Sequence, residues 1–254
     1  MKNLVKTLTL SLLVSIPLGI FAQTGYEIAK AMEDVNNPTD MKADMTMTLT
    51  NKQGKSREST IRSVIADDNR NQIIWFLAPA DDKGVAFLKI EHDDKDDEMR
   101  LWLPAFKKVR RISSKKKADS FMGSDLSYED MTSRALDDYT YELKGSETVE
   151  GIDCHILEST PKKGVTRTYK RFMTYVSKTD LVAILDEAYD MRNQLLKRRQ
   201  IKYTKEKSYN LPLEIFVENV QKKHSTRLLF ANIEVDTGVE ADLFQEKNLK
   251  RMPR

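Results

Sequence analysis

The chain has 254 residues, 32% of them charged and 40% hydrophobic, with nine glycines, seven prolines and one cysteine. Those proportions exclude a collagen-like repeat, a disulfide-stapled miniprotein and a wholly disordered charged tail. The formal charge of +3 hints at an anionic partner, subject to where the charges lie.

Residues 1–22 read MKNLVKTLTLSLLVSIPLGIFA. Lys2 and Lys6 precede an apolar run from Leu8 to Ile16, which Pro17 and Gly19 break before Ala22. That order predicts a secretory signal peptide cleaved near Ala22, leaving 23–254 as a single mature domain. The apolar run is short for a span of about 20 residues. Cleavage removes two lysines and no acid, so 40 basic residues (42 − 2) face 39 acidic ones. No later stretch has 18 consecutive apolar residues, so no stable membrane span is expected. A nearly neutral exported chain is not expected to bind nucleic acid. Cys154, in the strand-like run IDCHILE, has no intramolecular partner and reads as a small buried apolar residue.

Thr24 is placed to cap a helix from Gly25 to about Val35, with Ile28, Ala31, Met32 and Val35 at helical spacing. Asn36-Asn37-Pro38 ends it. The period then changes to two: Met41, Ala43, Met45, Met47 and Leu49 alternate with polar residues, the pattern of a half-buried strand over 41–50. Further strands are predicted at 56–66, 71–77, 85–90, 99–103 and 109–112. Residues 113–137 lack alternation and carry short helices around 128–135. Strands resume at 139–149, 152–159, 168–176, 183–189, 195–204, 213–220 and 226–235, with turns that include Gly145-Ser146, Gly151, Gly164 and Asn210 with Pro212. Strands every 10–15 residues without helical crossovers predict one antiparallel meander. A sheet of about a dozen strands must curl, because neighbouring strands twist by about 20–25°.

The histidines His92, His155 and His224 share no metal-ligand spacing, and no nucleophile elbow or dinucleotide turn is present. The acidic stretch from Asp93 to Glu98 lacks the alternate ligands and central glycine of a calcium loop. No catalytic residue, metal or cofactor is expected, and the chain does not read as an enzyme. Lys107, Lys108, Arg110, Arg111, Lys115, Lys116 and Lys117 form a basic run. It is either a contact for partners or headgroups or a solvated loop and charge-protected edge strand.

The stretch over 101–131, LWLPAFKKVRRISSKKKADSFMGSDLSYEDM, resembles the outer-membrane lipoprotein-sorting proteins, the LolA-like family, in the branch associated with RND-type exporters. The resemblance is carried by Leu103-Pro104, Arg110-Arg111, Phe121-Met122-Gly123-Ser124-Asp125 and Tyr128-Glu129-Asp130 in that order. It implies a mainly β fold: a large antiparallel sheet curled into an unclosed half β-barrel with helices covering its concave face. It also implies a periplasmic monomer that carries acyl chains of lipoproteins or other lipids toward the outer membrane. The partners it implies are an inner-membrane RND-type transporter and an outer-membrane acceptor. The best-known members latch their lid with an early-strand arginine, and Arg57 and Arg62 lie in that region.

The carrier reading is physically coherent. Burying one CH₂ gains ~0.8 kcal/mol, so a 16-carbon chain moved into water costs roughly 12 kcal/mol, which an apolar wall must replace. The candidate wall residues are Met45, Met47, Leu49, Trp75 or Phe76, Phe87 and Leu101, with Phe121 and Met122 in the lid. Trp102 is placed with Leu103-Pro104 at the rim. A reading from another class is an adaptor for an RND-type exporter or envelope sensor, docking through the basic run with its cavity permanently plugged.

Overall fold

A computed structural model describes residues 24–253; the signal peptide assigned to 1–22 lies outside them. One helix, α1 (Gly25–Glu33), precedes thirteen strands. These are β1 (Asp40–Thr50), β2 (Ser56–Ala66), β3 (Asn71–Ala78), β4 (Ala86–Ile90), β5 (Glu98–Leu103), β6 (Lys108–Arg111), β7 (Tyr139–Val149), β8 (Ile152–Pro161), β9 (Arg171–Ser177), β10 (Ala183–Tyr189), β11 (Leu195–Glu206), β12 (Tyr209–Asn219) and β13 (His224–Val235). All belong to one antiparallel sheet ordered β6-β5-β4-β3-β2-β1-β13-β12-β11-β10-β9-β8-β7. The sheet is not closed: β6 and β7 are its two edges.

This order dictates the placement of the central segment. The first six strands run outward from β1 in one direction, and the last seven return to pair β13 with β1. β6 and β7 are therefore consecutive in the chain yet lie at opposite edges. Residues 112–138 must cross the sheet, and they do so over its inner face as a string of 3₁₀ turns, Ser114–Lys116, Glu129–Met131 and Leu136–Asp138. Each edge carries charge, with Lys108, Arg110 and Arg111 exposed on β6 and Glu142, Lys144 and Glu147 exposed on β7, which discourages pairing with another chain.

Alternation assigns the two faces. Met45, Met47, Ile61, Ile74, Phe76, Phe87, Met99 and Leu101 form one inner cluster with Val217, Leu228 and the crossing segment. Val64, Ile73, Trp75, Ala86 and Leu88 form an outer cluster, covered by Phe244 and Leu249 from the C-terminal segment. Both faces of β3 and β4 are therefore buried, as their continuous apolar runs require. Asp40 turns that segment onto the outer face. Its carboxylate accepts from the backbone N–H groups of Thr237, Gly238 and Val239 at 2.8–3.1 Å and from the Thr237 hydroxyl at 2.8 Å.

Four details depart from the sequence reading. Gly145-Ser146 is not a turn but lies inside β7, at a register shift. α1 stops at Glu33 rather than Val35. β9 begins at Arg171 rather than 168. The β11–β12 turn falls at Lys207 and Ser208, so that Pro212 lies inside β12. Pro212 is tolerated there because it faces Tyr203 at a register shift, where a missing N–H interrupts no regular ladder. Cys154 is fully buried and unpaired on β8.

α1 begins with a capping box: the Thr24 hydroxyl accepts from the Glu27 N–H at 3.2 Å, and Glu27 returns a contact to the Thr24 N–H at 2.7 Å. Its buried Ile28 and Ala29 pack on Leu157 and Val176. The helix sits so close to β7 that a Cβ on Gly25 would meet the backbone of Tyr141, Glu142 and Leu143 at 2.9 Å. Gly25→Ala should lift the helix and cost about 1–3 kcal/mol, read as a lowered melting temperature.

Candidate functional site: an apolar cavity beneath a latched segment

The crossing segment is shaped by the Phe-Met-Gly-Ser-Asp motif. Phe121 and Ser124 close a tight turn, with the Ser124 N–H donating to the Phe121 carbonyl at 2.9 Å. Both central residues, Met122 and Gly123, have positive φ (50° and 80°), the signature of a type I′ turn that favours glycine. The turn presents Phe121 to the sheet, where its ring meets Phe87 (5.2 Å between centroids), Phe76 (6.2 Å) and Tyr128 (5.9 Å).

Three polar anchors follow. Asp125 accepts from Thr226 Oγ1 at 2.8 Å and contacts His224 Nδ1 at 2.7 Å, while its own N–H donates to Thr226 Oγ1. Asp130 accepts from Lys197 Nζ at 2.5 Å, from the Ser127 N–H at 2.6 Å and from Tyr169 at 3.0 Å. Arg134 donates to Asp186 at 2.6 Å and lies 4.0 Å over the Phe172 ring. Glu91 adds a fourth contact, accepting from the Ser133 N–H at 3.0 Å while paired with buried Lys89 at 2.7 Å. Burial pulls the Lys89 ammonium below its ordinary pKa, against the pull of Glu91.

Early-strand arginines take no part in this latch. Arg57 meets Asp82 at 2.6 Å on the exposed rim. Arg62 points to the outer face, where it pairs with Asp44 at 2.7 Å. The latching cation is Lys197, on β11.

Between the segment and the inner face is a cavity of about 350 Å³. Met45, Met47, Ile61 and Ile74 line it on one side, Ile215, Leu228 and Phe230 on the other, and Phe121, Leu126 and Met131 roof it. Exposed Asn37, Asp68 and Asn69 stand at its open end. A polar cleft of about 830 Å³ adjoins it at Asn37 and Asp68. Charged side chains in the cleft are largely paired with one another, as Arg70–Asp93, Lys117–Asp97 and Arg167–Asp138, beside apolar Met32, Leu136 and Leu157.

The wall candidates separate cleanly. Met45, Met47 and Phe121 line the cavity. Phe76, Phe87 and Leu101 lie in the same inner cluster, with Leu49 and Met122 packed against it, beyond the open space. Trp75 is a correction: it faces outward under Phe244 and Leu249, because Phe76 takes the inward position next to it. Trp102 also turns outward, with Lys250 5.2 Å over its ring. Ile215, Leu228 and Phe230 were missed. Alternation along β12 and β13 marks them as one face, but only the β1–β13 pairing brings that face beside Met45 and Met47.

The basic run does not form one surface. Lys107, Lys108, Arg110, Arg111, Lys115 and Lys116 are exposed, whereas Lys117 is half-buried and bound to Asp97 at 2.9 Å. On β6, Lys108 and Arg110 point to the opposite face from Arg111. Among the described residues no three or more His, Cys, Asp or Glu converge as a metal site. No helix among them is long and apolar enough to cross a membrane.

A family model described as "-like: Uncharacterized protein" matches residues 68–251. No curated protein matches the chain. Among solved structures, a DUF1329 family protein from Desulfovibrio piger is 32% identical, with 89% of this chain and 97% of that chain covered and a TM-score of 0.83. A putative outer membrane lipoprotein-sorting protein domain from Vibrio parahaemolyticus is 30% identical over 89% of this chain and 98% of that one, with a TM-score of 0.84. A LolA superfamily protein from Nitrosomonas europaea shares the fold at 17% identity, with 89% and 99% covered and a TM-score of 0.69. With the open thirteen-strand sheet and the Phe-Met-Gly-Ser-Asp turn at its centre, the chain belongs to the LolA-like family of outer-membrane lipoprotein-sorting proteins.

Proposed function

We propose that the mature domain, 23–254, is a periplasmic carrier that takes an acyl chain of a lipoprotein or another lipid into the cavity beneath the crossing segment and moves it toward the outer membrane. The leader over 1–22, cleaved near Ala22, is the export signal in this reading, and an inner-membrane RND-type transporter and an outer-membrane acceptor are the donor and recipient.

The observation that carries it is the cavity itself. Its wall is mainly methionine, isoleucine, leucine and phenylalanine, with polar residues such as Ser63, Gln72, Asp130 and Arg199 among them, and its volume of about 350 Å³ falls within the ~300–1,000 Å³ of small-molecule sites. Met45, Met47 and Met131 are unbranched and adaptable, suited to chains of varied length. The opposing requirement is release. The segment is held by a few polar anchors and one aromatic cluster, contacts that a donor or acceptor protein can exchange. A plugged adaptor has no use for an open apolar volume.

The test is native mass spectrometry of the full chain exported with its own leader and recovered from the envelope. An acyl-bearing molecule is expected at about one per protein, and Met47→Glu should reduce it severalfold. Protein that emerges without lipid and takes up no acyl probe after delipidation contradicts the reading.

A further inference from the structure

The closed end of the cavity gathers three cations, Lys197, Arg134 and Arg199. Arg199 lines it beside Asp130 and Leu126. The cross-strand neighbour of Arg199 is Val217, which pairs with Thr226, and both of these are fully buried. Lys197, Arg134 and Arg199 meet the carboxylates of Asp130 and Asp186 there, and a third carboxylate, Asp125, is taken up by Thr226 and His224. Lys197 is matched by Asp130, while Arg134 and Arg199 both lean on Asp186, at 2.6 and 2.9 Å. Asp130 accepts from Lys197, Ser127 and Tyr169, all through Oδ2, and Asp186 also accepts from Thr174 at 2.7 Å. Glu129, a further carboxylate nearby, accepts from the Thr168 N–H at 2.9 Å.

Arg199 therefore keeps donating capacity in reserve. It gives one hydrogen bond, from Nη2 to Asp186, and its Nε–H, itself buried, has no acceptor. About a quarter of its side chain (26%) remains accessible. A guanidinium stays protonated in any such setting and matches a carboxylate in shape and charge.

We infer that the cavity is built for a free long-chain carboxylic acid, whose carboxylate meets Arg199 at the closed end while its chain runs past Met47, Ile215 and Phe230 toward Asn69. This rests on the acyl-carrier reading and narrows it. An acyl chain esterified to glycerol or cysteine has to leave its carbonyl and bulky head at the open end. A free acid has a charged terminus small enough to travel inward. Asp186 positions the guanidinium without neutralising it, since it is shared with Arg134.

The experiment uses the full mature chain, delipidated, with a neutral fluorescent acyl probe displaced by dodecanoic acid or by methyl dodecanoate. The acid should displace the probe at about tenfold lower concentration than the ester, the increment of one charge-assisted hydrogen bond. In Arg199→Gln that ratio should fall close to one, and in Arg199→Lys, which keeps the charge, it should recover in part. Equal displacement by acid and ester in the native chain overturns the inference alone and leaves the carrier intact, as does an unchanged ratio in Arg199→Gln. Failure of the probe to bind the native chain overturns the carrier reading and the inference with it.

Discussion

Phe121→Ala should detach the crossing segment at a cost of about 3–5 kcal/mol, the range for truncating a buried aromatic. Phe121 is 3% exposed, and it is the point where the segment's tight turn meets the sheet. Its ring contacts Phe76, Phe87 and Tyr128, so its loss opens a hole shared by three others. The thirteen-strand sheet does not depend on that ring for its backbone pairing. Hydrogen exchange should therefore accelerate over 113–137 far more than over β1, β2 and β13. Uniform acceleration across the sheet would mean that the segment is part of the core rather than its cover.

Lys197→Met should be as costly, about 3–5 kcal/mol, because removing one partner of a buried pair strands the other charge. The two side chains are only 8% and 12% exposed. Combining Lys197→Met with Asp130→Leu should recover part of the loss, since neither charge is then left alone. The pH response follows from the same groups. Burial alone would raise the Asp130 carboxyl, but Lys197 and Ser127 prevail and hold it below its ordinary value of 3.8. At Asp186 burial is likewise overcome, by Arg134 and Arg199. With folded values lowered, the stability they contribute is complete above the ordinary carboxylate value and is lost as pH falls through the folded ones. Without Lys197, burial prevails at Asp130, and release of the segment moves to higher pH. Limited proteolysis of 113–137 across an acid series, native against Lys197→Met, checks both the direction and the shift.

The strands were legible because alternation is local. The run from Met41 to Leu49 needs no knowledge of its neighbours to declare a half-buried strand, and nearly all thirteen strands appear close to their expected places. Facing was legible only where one side was polar. Trp75 and Phe76 are adjacent apolar residues in a strand covered on both sides, so their assignment depended on the C-terminal cover, whose short 3₁₀ turns have no periodicity to announce them. The latch was not legible at all. In the stretch from Lys197 to Arg199 nothing local separates the buried lysine from its exposed neighbour Arg198; register across β10 and β12, and the path of the segment, decide it. The central motif, by contrast, is local, and its members form the turn, the aromatic contact and two of the anchors.

The central claim is that an acyl chain occupies the space between the inner face and the crossing segment. A fatty acid carrying a photoactivatable diazirine in mid-chain, cross-linked to the delipidated full chain and mapped by peptide mass spectrometry, tests it most directly. Labels are expected on Met45, Met47, Ile215, Leu228 or Phe230 and on Leu126 or Met131 above them. Labels confined to exposed residues such as Phe106, Met191 or Leu213, with none inside, would contradict it.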